Sequence, residues 1–233
     1  MALVKTLTAP ISEVMHGGVE AYSKKVPQYF DGIRRDYIAA LPHNPTAKIL
    51  EIGCGDGGTG ALALSERKCG YYAAVEIFPE AAAKASRQIN EVVVGNVEQV
   101  QLPWEPDTFD ALIMSEVLEH LVDPWATLRK IHPLLKRRAL VFASSPNVSH
   151  RRVVSMLIRG EWNLDNAGIM DRTHLRWFTP KTYRELFQSS GYHVDSVKEA
   201  TPLTKKAQVI VFFTFGRFRH LFMTQVDLRA RRD

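Results

Sequence analysis

Glu116, Glu119 and His120 stand in the segment SEVLEHLVDP as Glu-x-x-Glu-His. On a helical turn the i, i+3 and i+4 positions share a face, so this spacing predicts two carboxylates and an imidazole pointing the same way. Like charges so close need a counter-charge. A divalent cation supplies one, because it takes oxygen and nitrogen ligands together. His174, in the polar and irregular stretch DRTHLRWFTP, is the candidate fourth ligand. Two other readings of these residues stay open: His120 or His174 as the general base of a metal-free site, and a packing role alone.

A second set lies upstream, in the turn ILEIGCGDGGTG. Gly53, Gly55 and Gly58 fit G-x-G-x-x-G, the turn that lets a backbone approach a pyrophosphate at a helix N-terminus. The same residues fit Glu-x-Gly-x-Gly-x-Gly, counted from Glu51 through Gly57. The acid decides between them. A carboxylate at a strand end repels a pyrophosphate, whereas it suits a ligand carrying an ammonium and a sulfonium, such as S-adenosylmethionine. Cys54 belongs to this turn as a small residue, which is all the turn needs.

The elements that must position these groups follow from hydrophobic period. AKILEI is a short apolar run of the kind buried on both faces of a sheet, and ALALSERK after the glycine turn is a helix. YYAAVE, EVVVG, FDALIMS and ALVFASS read as further strands, with PEAAAKASRQI and PWATLRKIHPLL as helices between them. This alternation implies parallel β-α-β units with right-handed crossovers, hence an α/β fold with a doubly wound sheet. TPKTYRELFQSSG is a helix capped by Thr179, opened by Pro180 and stopped by Gly191; strands near YHVDSV and QVDLRAR complete seven. Residues 19–41 read as two short helices interrupted near Pro27.

With 233 residues, 45% apolar and 24% charged, one soluble core is expected and disorder is excluded. No apolar run reaches the ~18 residues of a membrane span; VIVFFTF is cut off by Gly216 and Arg217. The start MALVKTLTAPISEV lacks the pattern of a secretory signal, and Cys54 and Cys69 suit reduced thiols, so the cytoplasm is the expected compartment. The net charge of +5 resides in residues 201–233, which hold seven Lys or Arg against two Asp. That distribution argues against a duplex nucleic-acid grip and suits an anionic membrane surface.

From about Lys48 to Ser145, and more loosely beyond, the chain resembles the class I S-adenosylmethionine-dependent methyltransferases, with a Rossmann-like, seven-stranded, mostly parallel sheet. The resemblance implies a single domain over 1–233: an N-terminal helical cover (1–45), a cofactor-binding core (46–145) and a substrate-side part that finishes the sheet (146–233). It implies that Glu51, Gly53, Cys54, Gly55 and Gly57 underlie the methionine part of the cofactor, and that Glu76 binds both ribose hydroxyls. Asn96 and Val97 would meet the adenine, and Ser115 opens the segment after the fourth strand. Asn96 departs from the Asp of many relatives, although its side-chain oxygen still accepts a hydrogen bond.

Glu116, Glu119, His120 and a later His174 resemble the ligand set of metal-dependent sugar-hydroxyl methyltransferases, including those that modify the 2′-hydroxyl at RNA 3′ ends. SPNVSH and DRTHLRWFT also resemble bacterial sugar and glycan methyltransferases. The implied activity is O-methylation of a sugar hydroxyl in a glycan or glycoside, with Mg²⁺ or Mn²⁺ chelating a vicinal diol. Alternatives are an RNA 3′ end, a small catechol-type acceptor, or a non-catalytic cofactor-binding subunit. His150, Arg151 and Arg152 precede the helical VVSMLIRG, with Trp162 and Trp177 as stacking faces for a sugar or as core. The tail AQVIVFFTFGRFRHLFM most simply covers a sheet edge. Its alternative is contact with the inner face of a membrane through residues 207–223.

Overall fold

A computed structural model of the chain describes residues 3–5, as backbone, and residues 32–233. Eight strands form one sheet: β1 (Leu3–Lys5), β2 (Lys48–Ile52), β3 (Tyr71–Glu76), β4 (Glu91–Val94), β5 (Phe109–Ser115), β6 (Leu135–Pro146), β7 (Tyr192–Glu199) and β8 (Gln225–Arg232). Their order is β1-β4-β3-β2-β5-β6-β8-β7, parallel except for β8, which runs antiparallel to both β6 and β7. The seven strands expected from the sequence are all present. Leu3–Lys5, expected within a helical cover, instead adds an eighth strand beside β4. The first of the two N-terminal helices lies outside the described residues; the second is α1 (Arg35–Ala40).

The central strands are buried on both faces because apolar residues occupy both parities. Leu50 and Ile52 of β2 join Leu112 and Met114 of β5 in one core, while Ile49 meets Ala111 and Ile113 in the other. Helices α2 (Gly58–Ser65), α3 (Pro79–Ala85), α4 (Pro124–Ile131), α5 (Arg151–Ile158), α6 (Pro180–Gln188) and α7 (Lys205–Phe213) connect the strands. Thr179 caps α6 by accepting from the Thr182 N–H, Pro180 takes the first position, and Gly191 has φ 90°, as the sequence predicts.

The functional consequence lies in the strand order. From β2 the chain winds outward through β3 and β4, then returns to place β5 on the other side of β2. Ile52 pairs with Met114, so the turn after β2 and the segment after β5 leave the sheet side by side. A crevice at such a reversal is where open α/β sheets bind ligands.

The tail departs from its expected role. Val209, Ile210, Phe212 and Phe213 are exposed and only Ala207 of α7 is buried, so this helix does not cover the sheet edge.

Candidate active site

On the β2 side, Gly53, Gly55 and Gly57 have φ of 74°, 53° and 89°, a region that side chains strain to enter. Space is also short. A Cβ at Gly53 would sit 2.7 Å from Val117 Cγ2, and one at Gly57 would sit 2.9 Å from Ala85 Cα. The turn is thus threaded between the post-β5 segment and α3. The Gly55 N–H donates to Glu76 Oε2 at 2.8 Å and the Phe78 N–H to Oε1 at 3.0 Å, so Glu76 is aimed into the turn from the end of β3. Burial raises its pKa and these N–H donors oppose the rise.

Glu51 lies beneath the turn and accepts from the Tyr72 hydroxyl at 2.8 Å. Burial pushes its carboxyl up to about 8, and the negative charge of Glu76 adds to the rise. Cys54 is a buried free thiol whose pKa burial also raises. Asn96 Oδ1 accepts the Glu98 N–H at 2.9 Å, closing a short turn, and the carbonyl of buried Val97 accepts from Lys130 Nζ at 2.8 Å. Ser115 Oγ lies 3.1 Å from Ser144 Oγ.

A residue that sequence reasoning missed stands here. Arg34, entering α1, donates from Nη1 to Ser115 Oγ at 2.5 Å and to Ser144 Oγ at 2.8 Å. Its backbone N–H reaches Thr59 Oγ1, at 3.2 Å, in the first turn of α2, and its guanidinium lies 3.5 Å from the centre of the Tyr37 ring. It brings a guanidinium that is paired with Asp36 to the junction of the glycine turn and β5. Nothing in IRRDYI separates Arg34 from its neighbour Arg35.

On the β5 side, the expected helical face is not what forms. Glu116 has φ 55° and its N–H still donates to the Ser144 carbonyl, so the β5 ladder continues one residue too far for a helix to start there. Its carboxylate accepts from Gln225 Nε2 at 2.6 Å, on the far side of β6. Helical geometry begins later, as one tight turn over Leu118–His120. Glu116 therefore falls outside the set that comes together, which is Glu119, His120 and His174; one ligand atom from each lies within 4.8 Å of the others.

Backbone contacts bring His174 across the chain. The Leu175 and Arg176 N–H groups donate to the Glu119 carbonyl at 2.8 and 2.9 Å. Asp171 Oδ1 accepts from the Thr173 N–H and hydroxyl at 2.9 and 2.7 Å, a local turn that presents the next residue. That Asp-x-Thr spacing before His174 was a readable signal in the sequence. His120 Nδ1 lies 3.2 Å from the Thr173 carbonyl and His174 Nδ1 3.2 Å from the Ile169 carbonyl. A carbonyl only accepts, so both rings carry a proton on Nδ1, and in the neutral imidazole the lone pair then lies on Nε2.

Glu119 is 1% exposed, and neither carboxylate oxygen accepts a hydrogen bond of ordinary geometry from a described residue. Burial first, then the charge of Glu116, hold its pKa well above the usual carboxylate range, with the nearby Ser145 hydroxyl opposing them. A buried acid beside two imidazole lone pairs fits a cation.

The remaining predicted groups sit at the rim. His150 caps α5 by accepting from the Arg152 N–H, and Arg152 lies 3.6 Å from Asp165. Trp162 and Trp177 form an edge-to-face pair with centroids 5.4 Å apart, Trp162 exposed and Trp177 half-buried, so neither is core.

Comparison with known proteins bears on this geometry. The family described as methyltransferase domain matches residues 24–197. The chain is 34% identical over 120 residues to a ubiquinone biosynthesis O-methyltransferase of Xanthomonas campestris pv. campestris (strain B100), a match that covers 49% of each protein. It thus spans about half the length of that curated relative. Among solved structures, an S-adenosylmethionine-dependent methyltransferase from Archaeoglobus fulgidus superposes with a TM-score of 0.59 at 20% identity, covering 88% of this chain and 97% of that one. The [4+2]-cyclase SpnF superposes at 0.57 and 15% identity, covering 88% and 81%. At such identities the likeness shows the fold alone.

Proposed function

The chain belongs to the methyltransferase-domain family, and from that premise we propose that it is an S-adenosylmethionine-dependent O-methyltransferase acting on one hydroxyl of a vicinal diol, with sugar diols as the acceptor class. The observation that carries the reading is the buried Glu119 with His120 and His174, set beside a glycine turn that only small residues can form. A cationic methyl donor and a divalent ion then have separate, adjacent places.

Glu51 and the turn at residues 53–57 underlie the methionine part of the cofactor, whose sulfonium and ammonium would draw the Glu51 carboxyl from the protonated form that burial favours into its carboxylate form. Arg34, whose guanidinium pairs with Asp36, reaches this end of the crevice through Ser115. Glu76 accepts the ribose hydroxyls, while Asn96 and Val97 border the adenine. Bound S-adenosylmethionine supplies an electrophilic methyl, so the protein contributes mainly alignment for an in-line displacement. Mg²⁺ or Mn²⁺ on Glu119, His120 and His174 would lower the pKa of a coordinated hydroxyl. The Thr173 and Ile169 carbonyls keep both imidazoles in the ligating tautomer. Glu116, held by Gln225, would receive the acceptor proton. Trp162 and Trp177 offer ring faces at the rim.

An aromatic diol is the second reading, favoured by the relatives named for ubiquinone biosynthesis. The test is a panel of vicinal-diol glycosides and catechols incubated with S-adenosylmethionine, followed by mass spectrometry for one added methyl. The proposal expects product from a diol class and none from its singly blocked analogues or in chelator. Turnover of blocked analogues in chelator would overturn it.

A further inference from the structure

The segment between β7 and β8 carries apolar surface that the active site does not use. Val209, Ile210, Phe212, Phe213, Phe215 and Phe218 are all exposed, Phe212 at 77%, Phe213 at 73% and Phe215 at 98%. Leaving that much aromatic surface in water is unfavourable, at about 25 cal/mol per Å². Single exposed apolar residues are ordinary; six within ten positions on one projecting helix and its following turn are not.

Charge identifies what covers it. From residue 200 to residue 226 the chain has four Lys or Arg and no Asp or Glu. Arg219 is taken by Glu199, whose two carboxylate oxygens accept from its guanidinium, which fastens the segment to the end of β7. Lys205, Lys206 and Arg217 form no ion pair among the described residues; the two lysines precede the apolar cluster in sequence and Arg217 lies within it. A second copy of the chain would bring these cations against their own equivalents, with no acid from this segment to offset them. An anionic bilayer satisfies both features, taking the aromatic side chains at the acyl boundary and the cations at the headgroups.

The placement gives the surface a direction. Asn147, just past the end of β6, donates from Nδ2 to the His220 and Met223 carbonyls, each at 2.7 Å. Gln225, which opens β8, donates to Glu116. The apolar segment therefore stands at the same end of the sheet as Glu119. We propose that residues 205–218 dock the protein on an anionic phospholipid surface, with Phe212, Phe213 and Phe215 inserted and Lys205, Lys206 and Arg217 at the headgroups, so that the crevice opens beside the bilayer.

The test is flotation of the full chain with vesicles of phosphatidylcholine alone and of phosphatidylcholine mixed with phosphatidylglycerol. The protein floats with the mixed vesicles, and high salt weakens that binding by screening the cations. Combined Phe212→Ser, Phe213→Ser and Phe215→Ser substitutions lower binding at least about tenfold. Combined Lys205→Glu, Lys206→Glu and Arg217→Glu abolish the preference for phosphatidylglycerol. All six residues are on the surface, and an unchanged melting curve verifies the fold of each variant. Equal flotation with both vesicle types, flotation with neither, or full binding by the Ser variant would overturn the proposal. So would a concentration-dependent dimer of the parent chain that the Ser substitutions dissolve, since the occupant would then be a second copy.

Discussion

The two halves of the crevice are built by different means. On the cofactor side, strand, turn and helix follow one another within residues 48–65, and Glu76 arrives from the adjacent strand to accept the Gly55 N–H. On the acceptor side, Glu119 and His120 meet His174 only because a loop some fifty residues later donates two N–H groups to the Glu119 carbonyl. The first half is local geometry that glycine makes unavoidable. The second is a long-range closure resting on a few hydrogen bonds, and it gathers the groups whose burial is most costly. On the proposed function, a site made this way would separate the place that holds the cofactor from the place that decides the acceptor.

If that separation is real, substitutions on one side should leave the other intact. The largest effect belongs to the acceptor side. Glu119→Gln or His174→Ala lowers turnover by about 10³-fold and raises the metal concentration required, with S-adenosylmethionine affinity unchanged by calorimetry. Equal damage to cofactor affinity would break the comparison.

The next effect isolates the cofactor side through pH. The folded protein holds the Glu51 proton up to about pH 8, whereas an unfolded carboxyl loses it near its ordinary value of 4.5. The folded state therefore binds more protons in that window, and stability falls as pH rises through it. Glu51→Gln lessens the slope and leaves the share of Glu76 and Glu119, whose pKa values burial also raises; urea melts across the window that keep the full parent slope in this variant would contradict it.

Gly53→Ala follows, at about 2 kcal/mol of stability, because the new Cβ meets Val117 and the backbone angle is unfavourable. Val117→Ala in the same chain returns part of that loss, which sharpens the point that the two halves touch at this contact. The smallest effect is Glu76→Ala, which weakens S-adenosylmethionine and its demethylated product by about tenfold each. A change in metal affinity with this variant would join the halves that the comparison keeps apart.

Legibility in the sequence divides along the same line. The glycine turn, the seven strands and the capped α6 were readable because each depends on residues within a few positions of one another. Glu116 misled because its partner is a strand: the β5–β6 ladder extends through its N–H, and no local pattern announces where a ladder stops. Arg34 left no trace, since its value comes from Ser115 and Ser144, 81 and 110 residues away. The run VIVFFTF has no clear period, so burial could not be separated from exposure until α7 was seen to project. His174 was found by residue type and by the likeness of DRTHLRWFT, while the Asp171–Thr173 turn that presents it was in the sequence and overlooked.

The central claim is that Glu119, His120 and His174 hold a divalent ion, and it can be tested without knowing the acceptor. Mn²⁺ titrated calorimetrically into the full chain, with the demethylated cofactor product present, should report one site per chain. His174→Ala should abolish it or weaken it at least about tenfold, and His150→Ala, at the rim, should leave it unchanged. No heat from the parent protein, or equal binding by His174→Ala, would contradict the account and leave a histidine general base as the reading of the same residues.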